Sequence, residues 1–203
     1  MIMTIVHYEF GPTRSQRVRW ILTELGIDHE SRDDRSLFGS DELKKVHPLG
    51  KLPAITDDSR PLFESAAICT WLADSHPERG LIAPSGTWER ALHDQWCAYI
   101  MTEVEAHLWS SARNTFVYPE EQRLEAVFAQ NAAELKRSMG PLEDHFCSND
   151  FFVANKFSVT DIFCGFELNW ARRMGDHVNG FPNVAAYNQR LLDMPNCPFT
   201  KDV

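Results

Sequence analysis

The stretch His47-Pro48-Leu49-Gly50-Lys51-Leu52-Pro53-Ala54-Ile55 carries more chemical information than any other part of the chain. Pro53 stands at the mouth of a strand candidate, where a residue without an N–H cannot donate to a ladder. If the Leu52–Pro53 bond is cis, the Leu52 amide and carbonyl turn away from the sheet and become free to pair with an extended peptide ligand. Lys51 beside it supplies a cation for a carboxylate. Further along, Phe63-Glu64-Ser65-Ala66-Ala67-Ile68 joins a strand to a helix start, where exposed amides and the helix dipole attract an anion. Glu64 can meet an amino group there, and Ser65 can meet a carboxylate through its hydroxyl and its amide. Together they suit the zwitterionic head of an α-amino acid. Taken singly, Ser65 reads as a helix N-cap.

These residues need elements to hold them. Residues 2–8 are β-rich and bounded by Gly11-Pro12, which predicts a buried strand ending in a turn. Val18, Ile21, Leu22 and Leu25 then fall on one apolar helical stripe, and Gly26 supplies its C-terminal stop. Residues 28–45 are polar and charge-rich, and are expected to hold a second strand and a short irregular helix. Residues 54–56 and 61–63 flank the turn formers Asp57-Asp58-Ser59 and predict a hairpin. A helix over 65–73 follows, with Ile68 and Leu72 on its buried side. The order is βαβ followed by ββα.

Helix breakers concentrate between Ser75 and Thr87, so the chain is expected to divide into a domain over 1–76, a linker over 77–86 and a second domain over 87–203. Helices are predicted over 87–111, 120–146, 158–174 and 182–192, which makes the second domain all-helical. Within it, Ser158-Val159-Thr160-Asp161 has the spacing of a capping box, a motif for positioning a helix rather than for catalysis.

Bulk properties narrow the classes of function. The 203 residues are 43% hydrophobic and 24% charged, ordinary globular usage. With 29 acidic against 20 basic residues the formal charge is −9, which repels nucleic acid phosphates and anionic membrane surfaces. No apolar run approaches the ~18 residues of a membrane span, and a cytoplasmic protein without nucleic acid or membrane partners is expected. The five cysteines are scattered without a Cys-x-x-Cys pair, and the eight histidines show no His-Glu-x-x-His spacing. Neither a disulfide framework nor a metal site is expected.

The Gly50-Lys51-Leu52-Pro53 segment, the Glu64-Ser65 pair, Phe157-Ser158-Val159-Thr160-Asp161-Ile162 and Phe181-Pro182-Asn183-Val184, in this order of elements, resemble the glutathione transferase superfamily over nearly the whole chain. One departure is Asn155-Lys156, where the family commonly has Gly-Asp; asparagine tolerates the left-handed conformation that such a turn needs. The resemblance implies an α/β thioredoxin-like N-terminal domain with a mixed four-stranded sheet, an all-α C-terminal bundle and a homodimer. It implies glutathione as co-substrate. The position of Leu52 would pair with its cysteinyl backbone before a cis Pro53, Lys51 would face the glycyl carboxylate, and Glu64 and Ser65 would hold the γ-glutamyl end. The activity implied is transfer of glutathione to small apolar electrophiles in detoxification, with glutathione-dependent isomerases, peroxidases and non-catalytic binding members as alternatives.

Such an enzyme must stabilise a thiolate whose thiol has an ordinary pKa near ~8.5. The resemblance places the donor where the first strand meets the first helix, at Tyr8, Thr13 or Ser15, with Arg14 as a nearby cation. No cysteine precedes Cys69, so a mixed disulfide formed at the helix start is disfavoured. Alignment from Arg19-Trp20 points to Tyr8 and Arg14, as in tyrosine-type members, whereas Glu64-Ser65 resembles serine-type classes and points to Thr13 or Ser15. Amides at the helix N-terminus would support the same anion, which favours the helix-start hydroxyls.

Overall fold

The computed structural model describes residues 5–175 and 177–199. Among them two compact units form, one running to Ser85 and adding Pro195–Phe199, the other covering Gly86–Met194.

In the first unit, strands β1 (Ile5–Glu9), β2 (His29–Asp33), β3 (Ala54–Asp57) and β4 (Arg60–Phe63) make one sheet in the order β2-β1-β3-β4. β1 runs parallel to β2 and antiparallel to β3, which is antiparallel to β4, so the sheet is mixed as expected. Of the first predicted strand, residues 2–4 lie outside the described residues. At its other end the strand continues to Glu9, because the ladder to β2 extends to the Glu9–Asp33 pair. Two residues in the left-handed region, Asp58 and Ser59 (φ 47° and 67°), close the β3–β4 hairpin, the geometry a tight two-residue connection demands.

Helix α1 (Ser15–Leu25) buries Val18, Ile21, Leu22 and Leu25 and ends at Gly26 with φ 68°, whose N–H bonds to the last-turn carbonyls. Its Trp20 is fully buried and meets Phe199 edge-on at 5.0 Å, while Gln16 donates to the Pro198 carbonyl. A short helix α2 (Asp41–Lys44), capped by Ser40, and helix α3 (Ser65–Asp74) complete this unit. His7 of β1 is held neutral: burial, helped by His29 and Arg19, pushes its pKa down to about 3.

The second unit consists of helices α4 (Trp88–Tyr99), α5 (Ala106–Ala112), α6 (Ala126–Phe146), α7 (Val159–Arg173) and α8 (Pro182–Leu192). The single helix predicted over 87–111 is instead α4 and α5 joined by the π-helical stretch Ile100–Glu105, with a second such stretch at Arg113–Val117. The next helix starts at Ala126 rather than at 120. Pro119 opens a short 3-10 turn there, and Asn114 Oδ1 takes the Leu124 amide at 2.9 Å, out of reach of helical pairing.

Helix α7 is buried along nearly its whole length, and its start is fixed by the expected capping box. Asp161 accepts four hydrogen bonds, from the amides of Ser158 (2.8 Å) and Phe152 (3.2 Å) and the hydroxyls of Ser158 (2.9 Å) and Tyr187 (2.7 Å). The turn before it holds Ala154 and Asn155 at positive φ, and Asn155 Oδ1 accepts the Asp150 and Phe151 amides. At the start of α8, Pro182 is the first helical residue, and the Glu143 carboxylate receives the amides of Asn183 and Val184, each at 3.0 Å. A carboxylate there satisfies amides that have no helical partner.

None of the five cysteines is joined in a disulfide. Among the described residues no helix is long and apolar enough to cross a membrane.

Candidate functional site

The register of the sheet brings three connections to one edge of the first unit. Tyr8 lies opposite Ala54, and Ala54 lies opposite Phe63. The turn leaving β1, the segment entering β3 and the junction leaving β4 therefore emerge together. Thr13 and Ser15 follow the first, Lys51, Leu52 and Pro53 form the second, and Glu64 and Ser65 form the third.

The Leu52–Pro53 bond is cis, as expected. Leu52 lies outside the β1–β3 ladder, whose last pair is Tyr8–Ala54. Its side chain packs with Tyr8, Leu37, Leu43, Val46 and Ala54. The approach to it is fixed by two glycines: the Gly39 amide donates to the Gly50 carbonyl at 2.9 Å. A Cβ on Gly50, which has φ 58°, would stand 2.9 Å from the Gly39 Cα. No other residue type fits that approach without moving the loop. Lys51 is exposed. Close by, His47 accepts the Leu49 amide at 3.1 Å and meets the Phe63 ring at 4.8 Å. Burial holds the His47 pKa below its ordinary value, outweighing the opposing pull of the Glu64 carboxylate.

At the β4–α3 junction Glu64 is exposed with φ 71°, a conformation rare for a residue with a side chain and concentrated at functional sites. Ser65 is not the N-cap that it reads as in isolation. Glu64 occupies that position, and Ser65 is the first helical residue. Its hydroxyl is buried and accepts from Arg17 Nη1 at 3.0 Å. Arg17 is itself almost completely buried and is absent from the residues singled out by sequence. The signal was its place on α1: Arg17, Ile21 and Leu25 fall at successive i, i+4 positions, so a guanidinium lies on the edge of the buried stripe, and a buried charge needs a partner.

The β1–α1 turn separates the three hydroxyl candidates. Thr13 is half-buried; its hydroxyl donates to the Phe10 carbonyl at 2.8 Å and lies 2.9 Å from Ser15 Oγ. The Ser15 amide donates to Thr13 Oγ1 at 3.2 Å, and the Phe10 amide to Ser15 Oγ at 3.3 Å. Ser15 is fully buried. Neither residue is the N-cap of α1, a position held by the half-buried Arg14, because α1 begins one residue later than a Thr13 cap requires. Tyr8 is buried in the apolar cluster, with the Arg32 guanidinium 5.2 Å from its ring centre. The edge thus presents a half-buried hydroxyl at a helix start, a main-chain segment beside a sheet, and a buried serine–arginine pair at a second helix start. That set suits a peptide-like anion.

The model of the glutathione S-transferase N-terminal domain matches residues 13–75, and that of the C-terminal domain matches residues 91–195. Elongation factor 1-gamma 1 of Oryza sativa subsp. japonica is 32% identical over 160 residues, 76% of this chain but only 37% of that protein's length. Glutathione S-transferase GstA of Escherichia coli O157:H7 is 28% identical over 177 residues, 82% of this chain and 85% of that protein. The crystal structure of a glutathione transferase from Methylococcus capsulatus str. bath superposes with a TM-score of 0.85 at 28% identity, covering 96% of this chain and 95% of that one. Two domain models in sequence, the mixed sheet with its cis proline and the helical second unit agree, and the chain belongs to the glutathione S-transferase superfamily.

Proposed function

We propose that the chain is a glutathione transferase that holds glutathione along the edge of its first unit and presents the thiolate to small apolar electrophiles. The observation that carries this reading is the convergence of Thr13, Leu52 and the Ser65–Arg17 pair through the β1–β3–β4 register. The Leu52 main chain pairs with the cysteinyl backbone. Lys51 faces the glycyl carboxylate, and Glu64 and Ser65 take the γ-glutamyl amino and carboxylate groups, with Arg17 orienting the Ser65 hydroxyl and adding positive charge behind it. Thr13 donates to the sulfur. Its single hydroxyl hydrogen turns from the Phe10 carbonyl to the thiolate, while the Ser15 amide continues to donate to Thr13 Oγ1. Arg14 contributes at longer range.

Ser65→Ala is expected to weaken glutathione binding by about tenfold, the worth of one charge-assisted hydrogen bond. Lys51→Met should weaken it less, because the cation is exposed and screened. Isothermal titration of each variant reads both. Equal affinities in wild type and Ser65→Ala would remove the γ-glutamyl assignment.

A second reading is a binding module of the same fold without turnover. It is favoured by the 32% identity to an elongation factor over 76% of the chain. Retention on immobilised glutathione together with turnover of a chromogenic aryl halide supports the enzyme. Retention with no turnover over a panel of electrophiles supports the module. The enzyme is expected to act as a homodimer, which a sizing column checks.

A further inference from the structure

The strand that leads to the candidate site carries a second cluster on one face. His7 and Glu9 are two residues apart on β1, so both side chains leave the same side of the sheet. In the parallel register Ile5 lies opposite His29 and His7 opposite Ser31, which brings His29 and Ser31 to that side as well. The His7 and His29 ring centres are 6.1 Å apart, and one ligand atom each of His7, Glu9 and His29 lie within 4.8 Å of one another. His7 is fully buried. Its Nδ1 lies 3.4 Å from Glu9 Oε2, yet neither ring nitrogen makes a hydrogen bond. An imidazole buried with both nitrogens unsatisfied is costly and needs an explanation.

We propose that His7, Glu9 and His29 bind a first-row divalent transition-metal ion of the zinc class. Two neutral imidazoles and one carboxylate are a common three-ligand set for such ions and leave a fourth position open. The surroundings orient the ligands. His29 Nδ1 lies 3.1 Å from the Ile27 carbonyl, which fixes the proton there and leaves Nε2 to coordinate, and Ser31 Oγ donates to Glu9 Oε1 at 2.5 Å. Such second partners hold metal ligands in place. Bonds of ~2.0–2.2 Å require the ligand atoms to close by roughly an ångström, within reach of small side-chain rotations.

Arg19 sets the affinity. Its guanidinium donates to Glu9 Oε2 at 2.8 Å through Nε and to Asp33 Oδ2 at 3.0 Å through Nη2, and it is about one-third exposed. An incoming ion displaces it from Glu9 toward Asp33 and the solvent. No metal-binding spacing is visible along the sequence, and none is expected from it. The site exists only because parallel pairing sets a His-x-Glu strand beside His29.

The test uses the full chain, free of any tag and stripped with a chelator, in the absence of glutathione. Equilibrium dialysis against Zn²⁺ is expected to give one ion per chain, and Co²⁺ to give visible d–d absorbance from the same site. His7→Gln and His29→Gln should each weaken binding by at least about 100-fold, and Arg19→Met should tighten it by about tenfold, since it removes a competing cation. If His7→Gln fails to fold, the half-buried His29 carries the same test. Failure to bind either ion up to about 100 µM overturns the proposal. So does binding that both histidine variants leave unchanged, or that Arg19→Met weakens.

Discussion

Thr13→Ala should lower the turnover of an aryl halide by about 100-fold, the typical loss on removing one donor from a developing or stabilised anion, while changing glutathione affinity by less than about threefold. Thr13 combines partial exposure with a hydroxyl at the start of α1, and its oxygen already receives the Ser15 amide. Donation to Thr13 Oγ1 polarises its hydroxyl, and the helix N-terminus favours the same negative charge. A free thiol ionises near ~8.5, so lowering the bound thiol by its first unit gives about eightfold more thiolate at neutral pH, and the gain levels off once the pKa falls below that pH. Thr13→Ser should restore most of the rate. Ser15→Ala should cost less, about tenfold, because Ser15 is fully buried and acts through Thr13 as a positioning residue. Tyr8→Phe should stay near wild type. The bound thiol's pKa, read by ultraviolet difference titration, separates these cases: it rises in Thr13→Ala and is unmoved in Tyr8→Phe. The reverse pattern would transfer the role to Tyr8, and no shift in any of the three would end the hydroxyl mechanism.

Asp161→Ala should destabilise the folded chain by about 3–5 kcal/mol, because it leaves buried donors unpaired at the entry to the most buried helix. The Ser158 and Phe152 amides and the Tyr187 hydroxyl all donate to this carboxylate, so its loss uncouples α7, α8 and the preceding turn together. Urea unfolding of the whole chain measures the change. The pH dependence has a defined sign. Burial pushes the Asp161 carboxyl up to about 6 despite its four hydrogen bonds. The folded state thus holds this proton more tightly than the unfolded chain, whose value is near 3.8. The associated stability is fully present below about pH 4 and is lost as the pH rises through about 6. Asp161→Asn has no such proton. The difference in stability between it and wild type should therefore vary with pH across that window, and a constant difference would contradict the assignment.

The sequence made local features legible and left distant pairings hidden. Pro53 at a strand mouth, the Asp57-Asp58-Ser59 turn and the Ser158–Asp161 spacing each depend on a few neighbouring residues, and each appears in the structure where its chemistry requires. Arg17 is hard to read from sequence because a charged residue on a helix ordinarily faces water, whereas the packing of α1 against α3 gives its guanidinium a buried partner in Ser65. The burial of Ser15 and the half-exposure of Thr13 are properties of the folded turn, not of their residue types, so the sequence favours the helix-start pair over Tyr8 without separating Thr13 from Ser15. Asn114, ten residues before Leu124, delays the start of α6 by a side-chain contact that no periodicity encodes. The His7–Glu9–His29 grouping likewise follows from the parallel β1–β2 register, which strand patterns do not specify.

The measurement closest to the central claim is the titration of ¹⁵N-labelled full chain with reduced glutathione, followed amide by amide. The largest shifts should fall on Leu52, Ser65 and Ala66 and on the turn through Thr13, saturate together, and shrink at Ser65 and Ala66 in Ser65→Ala. Uniformly small shifts at millimolar glutathione, or shifts concentrated on residues of the helical unit with Leu52 untouched, would contradict the account.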